Sequence, residues 1–432
     1  MLRRIFREPT TVLDELAAHH GRVVGLGAGP ARMAIIGDPD ALSELFAMPT
    51  DHFRWNHRFN VLGFVVGDES MIVSDGGDHR RRRSAVQSGF SRRRLNGWIP
   101  MMVDRVDAAI DRVLTSTATD GAVDLYPVTR GLTLDVVVRS MFGGGMATRV
   151  DEIGELFARP QAYLESPAVR QLPHPFPFTR RARVRADRRA FDAIVDAELA
   201  DRRRHRVADA DDLLSVLALD GTLTDGEIRD QVDSLIGAGY HTTAASLSWM
   251  IWCAVLAGWW ERLRTEADDA FGTEPWDHTL LMRLELAGRV MRETLRLHPA
   301  GVVGVREAVV DVDVGGYRVP AGSMIIWSPY LAGRDPVAWP DPLRFDPDRF
   351  GDPAAERRAR ASGAWAPFGG GARNCIGFAL AQMELTIAIA RFAQRLDLAP
   401  VEARLPRPVG MVVSRPEGGV PMRIGPRAGT VR

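Results

Sequence analysis

Apolar positions recur at helical spacing over most of the chain, from Pro39 to about Leu297, with breaks at Gly143-Gly144-Gly145 and in the proline-rich segment Pro173 to Pro177. The pattern predicts an α-dominated fold. Its longest apolar stretch, Leu235 to Trp260, carries no formal charge unless His241 is protonated, and it has the length of a bilayer span. Gly237, Gly239, Thr242, Thr243, Ser246 and Ser248 interrupt it, and no second such stretch accompanies it, so the better reading is a helix buried on all sides. Thr224 with Glu227 three residues on is a capping box that opens this helix, and His298-Pro299 closes another. The last regular helix is expected from about Gly377 to Leu396.

Strand-like runs are short and cluster at the two ends. Val12 to Ala18 reads as an amphipathic helix ending at Gly21, followed by Val23-Val24 and Met33 to Ile36 as a hairpin. The Gly25-Leu26-Gly27-Ala28-Gly29 run resembles a dinucleotide loop, but Pro30 and another strand follow where that motif needs a helix. Late in the chain Val309 to Val314, Tyr317 to Val319 and Met324 to Trp327 predict a small sheet. Met411 to Ser414 and Met422 to Ile424 predict a closing hairpin around Gly418-Gly419. The absence of repeats or a composition break makes one domain over residues 1–432 the expectation.

Composition narrows the function classes. With 55 basic and 55 acidic residues the net charge is zero, so no global field recruits nucleic acid or an anionic membrane. All basic side chains are Arg, a bias that points to a GC-rich bacterial genome. Two cysteines, Cys253 and Cys375, cannot build a disulfide framework, and Met1 to Arg7 is no signal peptide, so a cytoplasmic protein without a membrane span is expected. Cys253, between Trp252 and Ala254, reads as core. His19-His20 lacks metal partners, and Arg202 to Arg206 reads as an exposed helix end.

The chemistry concentrates in Phe368-Gly369-Gly370-Gly371-Ala372-Arg373-Asn374-Cys375-Ile376-Gly377, just before an apolar helix. There free N–H groups and the helix dipole favour a thiolate, and glycines allow close approach to a flat ligand. This loop resembles the cysteine signature of the cytochrome P450 superfamily. That resemblance implies a mainly α fold with small β-sheets, a triangular helical prism holding haem b (iron protoporphyrin IX) between the long central helix and the Cys-loop helix, with Cys375 as the iron ligand. Three further segments extend it over nearly the whole chain.

Glu293-Thr294-Leu295-Arg296 puts an acid and a base on one helix face, alone a pair worth under about 1 kcal/mol. With Phe345 to Phe350 it resembles the family's buried triad, which implies a structural role for Glu293, Arg296 and Arg349. Ala238 to Thr243 resembles the distal segment, which implies that Thr242 supports proton delivery to bound dioxygen, with His241 where the family usually has an acid. Mid-helix hydroxyls alone predict bonds to the preceding turn and a kink. The resemblance further implies that His79 and Arg83 meet one haem propionate and Arg373 and Arg306 the other, with Phe368 and Gly377 against the ring; Arg80, Arg81 and Arg82 are expected on a solvated face. With Arg92 to Arg94 they form the expected docking face for an electron donor.

The implied activity is insertion of one oxygen atom from O2 into a lipophilic molecule (terpenoid, steroid, polyketide or fatty acid). Lacking flavin or nicotinamide segments, a monomer is expected to draw electrons from a ferredoxin or flavodoxin and its NAD(P)H reductase. A peroxide-driven peroxygenase and a non-catalytic haem sensor are the alternatives; the presence of Thr242 disfavours both. The expected pocket draws on Trp55 to Val66, Phe157 to Phe178, Leu235, Ala238, Ala300 to Val305 (with Val302 and Val303), and Met411 to Val413, with Pro173 to Pro177 in a mobile lid.

Overall fold

A computed structural model describes residues 8–56, 60–116, 122–174, 176–205, 212–272 and 276–427. Met1 to Arg7, His57 to Phe59, Pro175 and Arg206, which figure in the expectations above, lie outside them. The chain enters through α1 (Pro9–His20), which ends at Gly21 with a positive φ of 87°. The hairpin β1 (Val23–Leu26) and β2 (Met33–Ile36) follows, then α2 (Pro39–Ala47), capped by Asp38, and the short β3 (Phe53–Arg54). The helical body comprises α3 (Gly76–Gln87), α4 (Ile99–Ser116), α5 (Leu125–Ala147), α6 (Val150–Leu164), α7 (Arg180–Arg204), α8 (Asp225–Leu256), α9 (Trp260–Phe271) and α10 (Glu285–Leu297). After it come β4 (Gly304–Ala308), β5 (Met324–Trp327) and the last helix, α11 (Phe378–Arg395).

The five strands form one sheet in the order β1-β2-β5-β4-β3, with only the β2–β5 pair parallel. That order ties the N-terminal hairpin to Met324–Trp327, and Trp327 lines the cavity beside the Cys loop. Val312–Val314 and Tyr317–Val319 form a separate hairpin. The expected closing hairpin is corrected: Pro421–Pro426 lies between Ala122–Asp124 and Leu396–Pro400, while Arg415–Pro416 pairs with Pro408–Val409. The residues from Met411 to Ser414 stay irregular because the Glu165 carboxylate accepts from the N–H groups of Met411 (2.8 Å) and Val413 (3.1 Å).

The spine is α8, and its start is the capping box read from sequence: Glu227 N–H donates to Thr224 Oγ1 (3.2 Å), and Thr224 N–H to Glu227 Oε2 (3.0 Å). α8 runs as one continuous α-helix from Asp225 to Leu256. Its hydroxyls bond back one turn, Thr242 to Ala238 O, Thr243 to Gly239 O and Ser246 to Thr242 O, each at 2.7–2.8 Å. Glycines fix the packing on one side, since a Cβ at Gly239 would come within 3.0 Å of Val137 on α5, and one at Gly237 within 3.3 Å of Phe157 on α6. The break expected at Gly143 is real: its φ of 74° kinks α5. Among the described residues no single helix is long and apolar enough to cross a membrane; only α8 with α9, bent by 112° between them, passes as a pair. Most side chains of α8 are buried within the protein.

Candidate functional site

A cavity of about 420 Å³ separates one face of α8 from the Cys loop and α11. Leu235, Ala238, Gly239, Thr242, Thr243 and Ser246 line it from α8, the i, i+4, i+8 stripe of one helix face. Phe368, Gly369, Arg373, Cys375 and Gly377 line it from the loop. The loop is held tightly. Cys375 N–H donates to Phe368 O (2.9 Å), and the Phe368 ring meets Phe378 edge-on at 4.6 Å. A side chain at Gly370 would overlap the Phe46 ring, and Gly371 sits at φ 65° against the Phe46 carbonyl. The glycines therefore serve the packing of the loop on α2 as well as its approach to a ligand.

Cys375 lies deep in the protein, yet its surface is accessible because it faces the cavity. Burial pushes its thiol up, opposed by the Gly377 N–H and by Arg83, so helix-end dipoles alone do not make a thiolate here. A metal ion bound to the sulfur would, since a ligating thiol is deprotonated outright. Arg83 Nη2 donates to Asn374 Oδ1 (2.8 Å), joining α3 to the loop.

At one edge stand two buried guanidinium groups. Arg373 lies 3.8 Å from the centre of the Trp55 ring and donates to Met71 O (3.3 Å) and Ser74 O (2.5 Å). Arg306, 5% exposed, sits among the faces of Phe46, Phe53 and Trp55. Burial lowers both to about 10, and each has a buried Nε without a partner among the described residues. Among the described residues only Asp75, 3.4 Å from Arg373, offers countercharge. His79 completes the edge; burial, then Arg373, Arg83 and Arg80, lowers it to about 4, while among the described residues no anion faces it. Two under-compensated cations at one edge and an accessible sulfur fit a flat, dianionic, iron-bearing ring.

Glu293 and Arg296 have fully buried side chains and are doubly bonded, Nε to Oε2 (2.7 Å) and Nη2 to Oε1 (2.8 Å). The structure also brings in Arg349, whose Nε lies 3.4 Å from Glu293 Oε1. Arg296 donates further to the carbonyls of Gly333, Pro342 and Arg344, so the pair nails the approach to the Cys loop in place.

Several expectations are corrected. His241 does not line the cavity: one residue turns a helix by about 100°, and the ring lies on Tyr240 at 3.8 Å with Nε2 unpartnered. Burial, then Arg130 and Arg415, lowers it to about 3. Val302 faces the opposite side of its segment, packing with Leu13, Leu16 and Leu331, while Val303 lines the cavity. Arg306 lies behind Trp55 rather than on the lining itself. Among the described residues of Phe157 to Phe178 and Met411 to Val413, none lines the cavity; Phe157 packs edge-on to Phe191 and Tyr240 on the far side of α8. Arg82 is buried, donating to Glu227 Oε1 (2.9 Å) and Ser74 Oγ (2.5 Å), and Arg81 also clasps Glu227, so only Arg80 of the three is free of this anchor. Sequence reasoning missed Met71, Val137, Met141 and Glu384. Glu384, among the described residues the one carboxylate lining the cavity, is raised well above its usual range by burial, and its Oε1 has no partner among them. An acid inside the apolar run Leu380 to Ile389 was the available signal.

Comparison with known proteins agrees with this arrangement. A cyanobacterial cytochrome P450 solved with retinoic acid bound has the same fold, with a TM-score of 0.83 at 23% identity over 96% of this chain and 94% of that one. The protein named cytochrome P450 139 of Mycobacterium tuberculosis is 32% identical over 419 residues, 94% of this chain and 95% of its own. Cyclooctatin synthase of Streptomyces melanosporofaciens is 31% identical, covering 93% and 88% of the two chains. Pentalenene oxygenase of Streptomyces avermitilis is also 31% identical, covering 90% and 86%. The cytochrome P450 family pattern matches residues 2–420, and the chain therefore belongs to the cytochrome P450 family, whose members are monooxygenases that bind haem b.

Proposed function

We propose that this chain, acting as one catalytic domain over residues 1–432, hydroxylates a terpenoid or a comparably lipophilic molecule, with Cys375 ligating the haem iron. The accessible Cys375 sulfur opposite the Thr242 face of α8 carries this reading. Haem b supplies the oxygen-activating chemistry when bound. His79, Arg83 and Arg373, which line the cavity, would hold its propionates, with Arg306 adding positive charge from behind Trp55, and Phe368 and Gly377 would lie against its ring. The Glu293–Arg296–Arg349 cluster positions the loop. Thr242 now donates to Ala238 O, and the same hydroxyl can turn to hold and pass a proton on the cavity side.

Leu235, Ala238, Val137, Met141, Ala300 and Val303 give an apolar wall with few polar anchors, as suits a hydrocarbon skeleton. Relatives named for cyclooctatin and pentalenene oxidation favour terpenoids within that class. A separate ferredoxin or flavodoxin with its NAD(P)H reductase would supply the electrons to a cytoplasmic monomer. The test is reconstitution of the haem protein with such a donor pair and a panel of terpenes, steroids and fatty acids. NAD(P)H-dependent oxygenated product is expected, and Thr242→Val should lower product per NAD(P)H several-fold while oxygen uptake continues. Product from hydrogen peroxide alone, with none from the donor chain, would support a peroxygenase instead.

A further inference from the structure

A second cleft, of about 1120 Å³, opens on the far side of α8 between α4, α5 and α6, and it shares no lining residue with the haem cavity. Its walls include Ala109, Val113, Val128, Leu134 and Val150, and its floor is Tyr240. Four arginines face it. Arg139 pairs with Asp135 at 2.6 Å, and Arg105 lies between Asp104 at 3.6 Å and Asp135 at 3.9 Å, so these two are compensated. Arg130 and Arg112 make no ion pair among the described residues. The other carboxylates, Asp151 and Glu155, are on exposed residues at the rim.

The buried hydroxyl of Tyr240, a residue 1% exposed, lies against the Arg130 guanidinium, whose carbon is 5.9 Å from the Tyr240 ring centre, and among the described residues neither that O–H nor Arg130 Nε meets an acceptor. Buried donors of this kind are normally satisfied by a ligand or ordered water. An apolar wall, a cationic floor and an unmet hydroxyl donor together select a molecule with a hydrocarbon body and an anionic head. We infer that this cleft binds an amphipathic carboxylate, its head on Arg130 and Tyr240 and its chain along α4 and α5. Tyr240 is two residues from Thr242, so the occupant touches the same helical turn that presents Thr242 to the haem. This goes beyond the monooxygenase reading and does not depend on the identity of the substrate.

The test uses the haem-loaded protein saturated with a phenylimidazole, which occupies the haem cavity, and follows decanoate by equilibrium dialysis. Saturable binding of one decanoate per chain is expected, with decanol bound about tenfold or more weakly, because a charge-assisted hydrogen bond is at stake. Arg130→Gln should weaken decanoate by a similar factor and leave decanol unchanged. Arg112→Gln, on an exposed rim residue that makes no ion pair, should weaken it about threefold and decides the matter if the first variant does not fold. Loss of decanoate binding in the presence of the azole, equal binding of decanol, or indifference to both substitutions would each overturn the inference.

Discussion

Replacing Arg296 by Leu perturbs the most completely satisfied charged group in the protein. All five guanidinium N–H groups are used: two on Glu293, at 2.7 and 2.8 Å, and three on the carbonyls of Gly333, Pro342 and Arg344, at 2.6, 2.7 and 3.1 Å. Removing the cation strands Glu293, which keeps only the Asp346 N–H (2.8 Å) and Arg349 at 3.4 Å. Breaking a buried pair from one side costs about 3–5 kcal/mol. Orphaned carbonyls add about 1 kcal/mol each at the low end. The sum, roughly 6–8 kcal/mol, rivals the whole stability of an ordinary domain. Arg349, by contrast, donates one bond to Asp341 O and holds Glu293 only loosely, so Arg349→Leu should cost about 1–2 kcal/mol. Urea midpoints followed by far-UV circular dichroism, together with haem content per chain, measure both. The double substitution Glu293→Leu/Arg296→Leu should fall short of the summed single costs by about 2 kcal/mol or more, since the stranded ion is gone. An Arg296→Leu midpoint no lower than that of Arg349→Leu, or strict additivity in the double variant, would refute the reasoning.

Asp233 on α8 is raised from 3.8 to about 8 by burial, with Arg188 pulling the other way, so its contribution is complete below about 3.8 and is lost as the pH climbs to about 8. Asp233→Asn should therefore gain stability over the parent progressively between those limits, and level off above; a pH-independent difference in urea midpoint would contradict this. His241→Leu should change stability by about 1 kcal/mol or less, because its Nε2 has no partner, and should leave the pH profile of turnover unaltered; collapse of that profile would show the imidazole acting as a relay. Gly370→Ala should reduce haem retention by forcing the Cys loop off Phe46, whereas Gly25→Ala, which meets nothing within 4 Å, should not; equal retention in the two variants would remove the packing argument.

The parts of the fold and site visible in the sequence are those fixed by short-range chemistry. The Thr224/Glu227 capping box, the break at Gly143, the helix end at His298 and the Cys375 loop each depend on residues a few positions apart. What stayed hidden depends on distant partners. The charge run at Arg80 to Arg83 resembles a solvated face until Glu227 and Ser74 arrive from elsewhere to bury Arg82. A helix buried on all sides has no polar face to orient it, so nothing local says that Thr242 meets the cavity while His241 turns toward Arg130. The nearest partner in sequence for the closing strand is Met411 to Ser414, but Leu396–Pro400, delivered by the end of α11, takes that place.

The proposed bond between Cys375 and haem iron is reported most directly by the reduced carbonyl adduct of the purified holoprotein. The parent should show the Soret band displaced to long wavelength by a thiolate ligand, and Cys375→Ser should lose that displacement while the protein remains folded. A parent adduct with an unshifted Soret band, or a displaced band that survives the substitution, would contradict it.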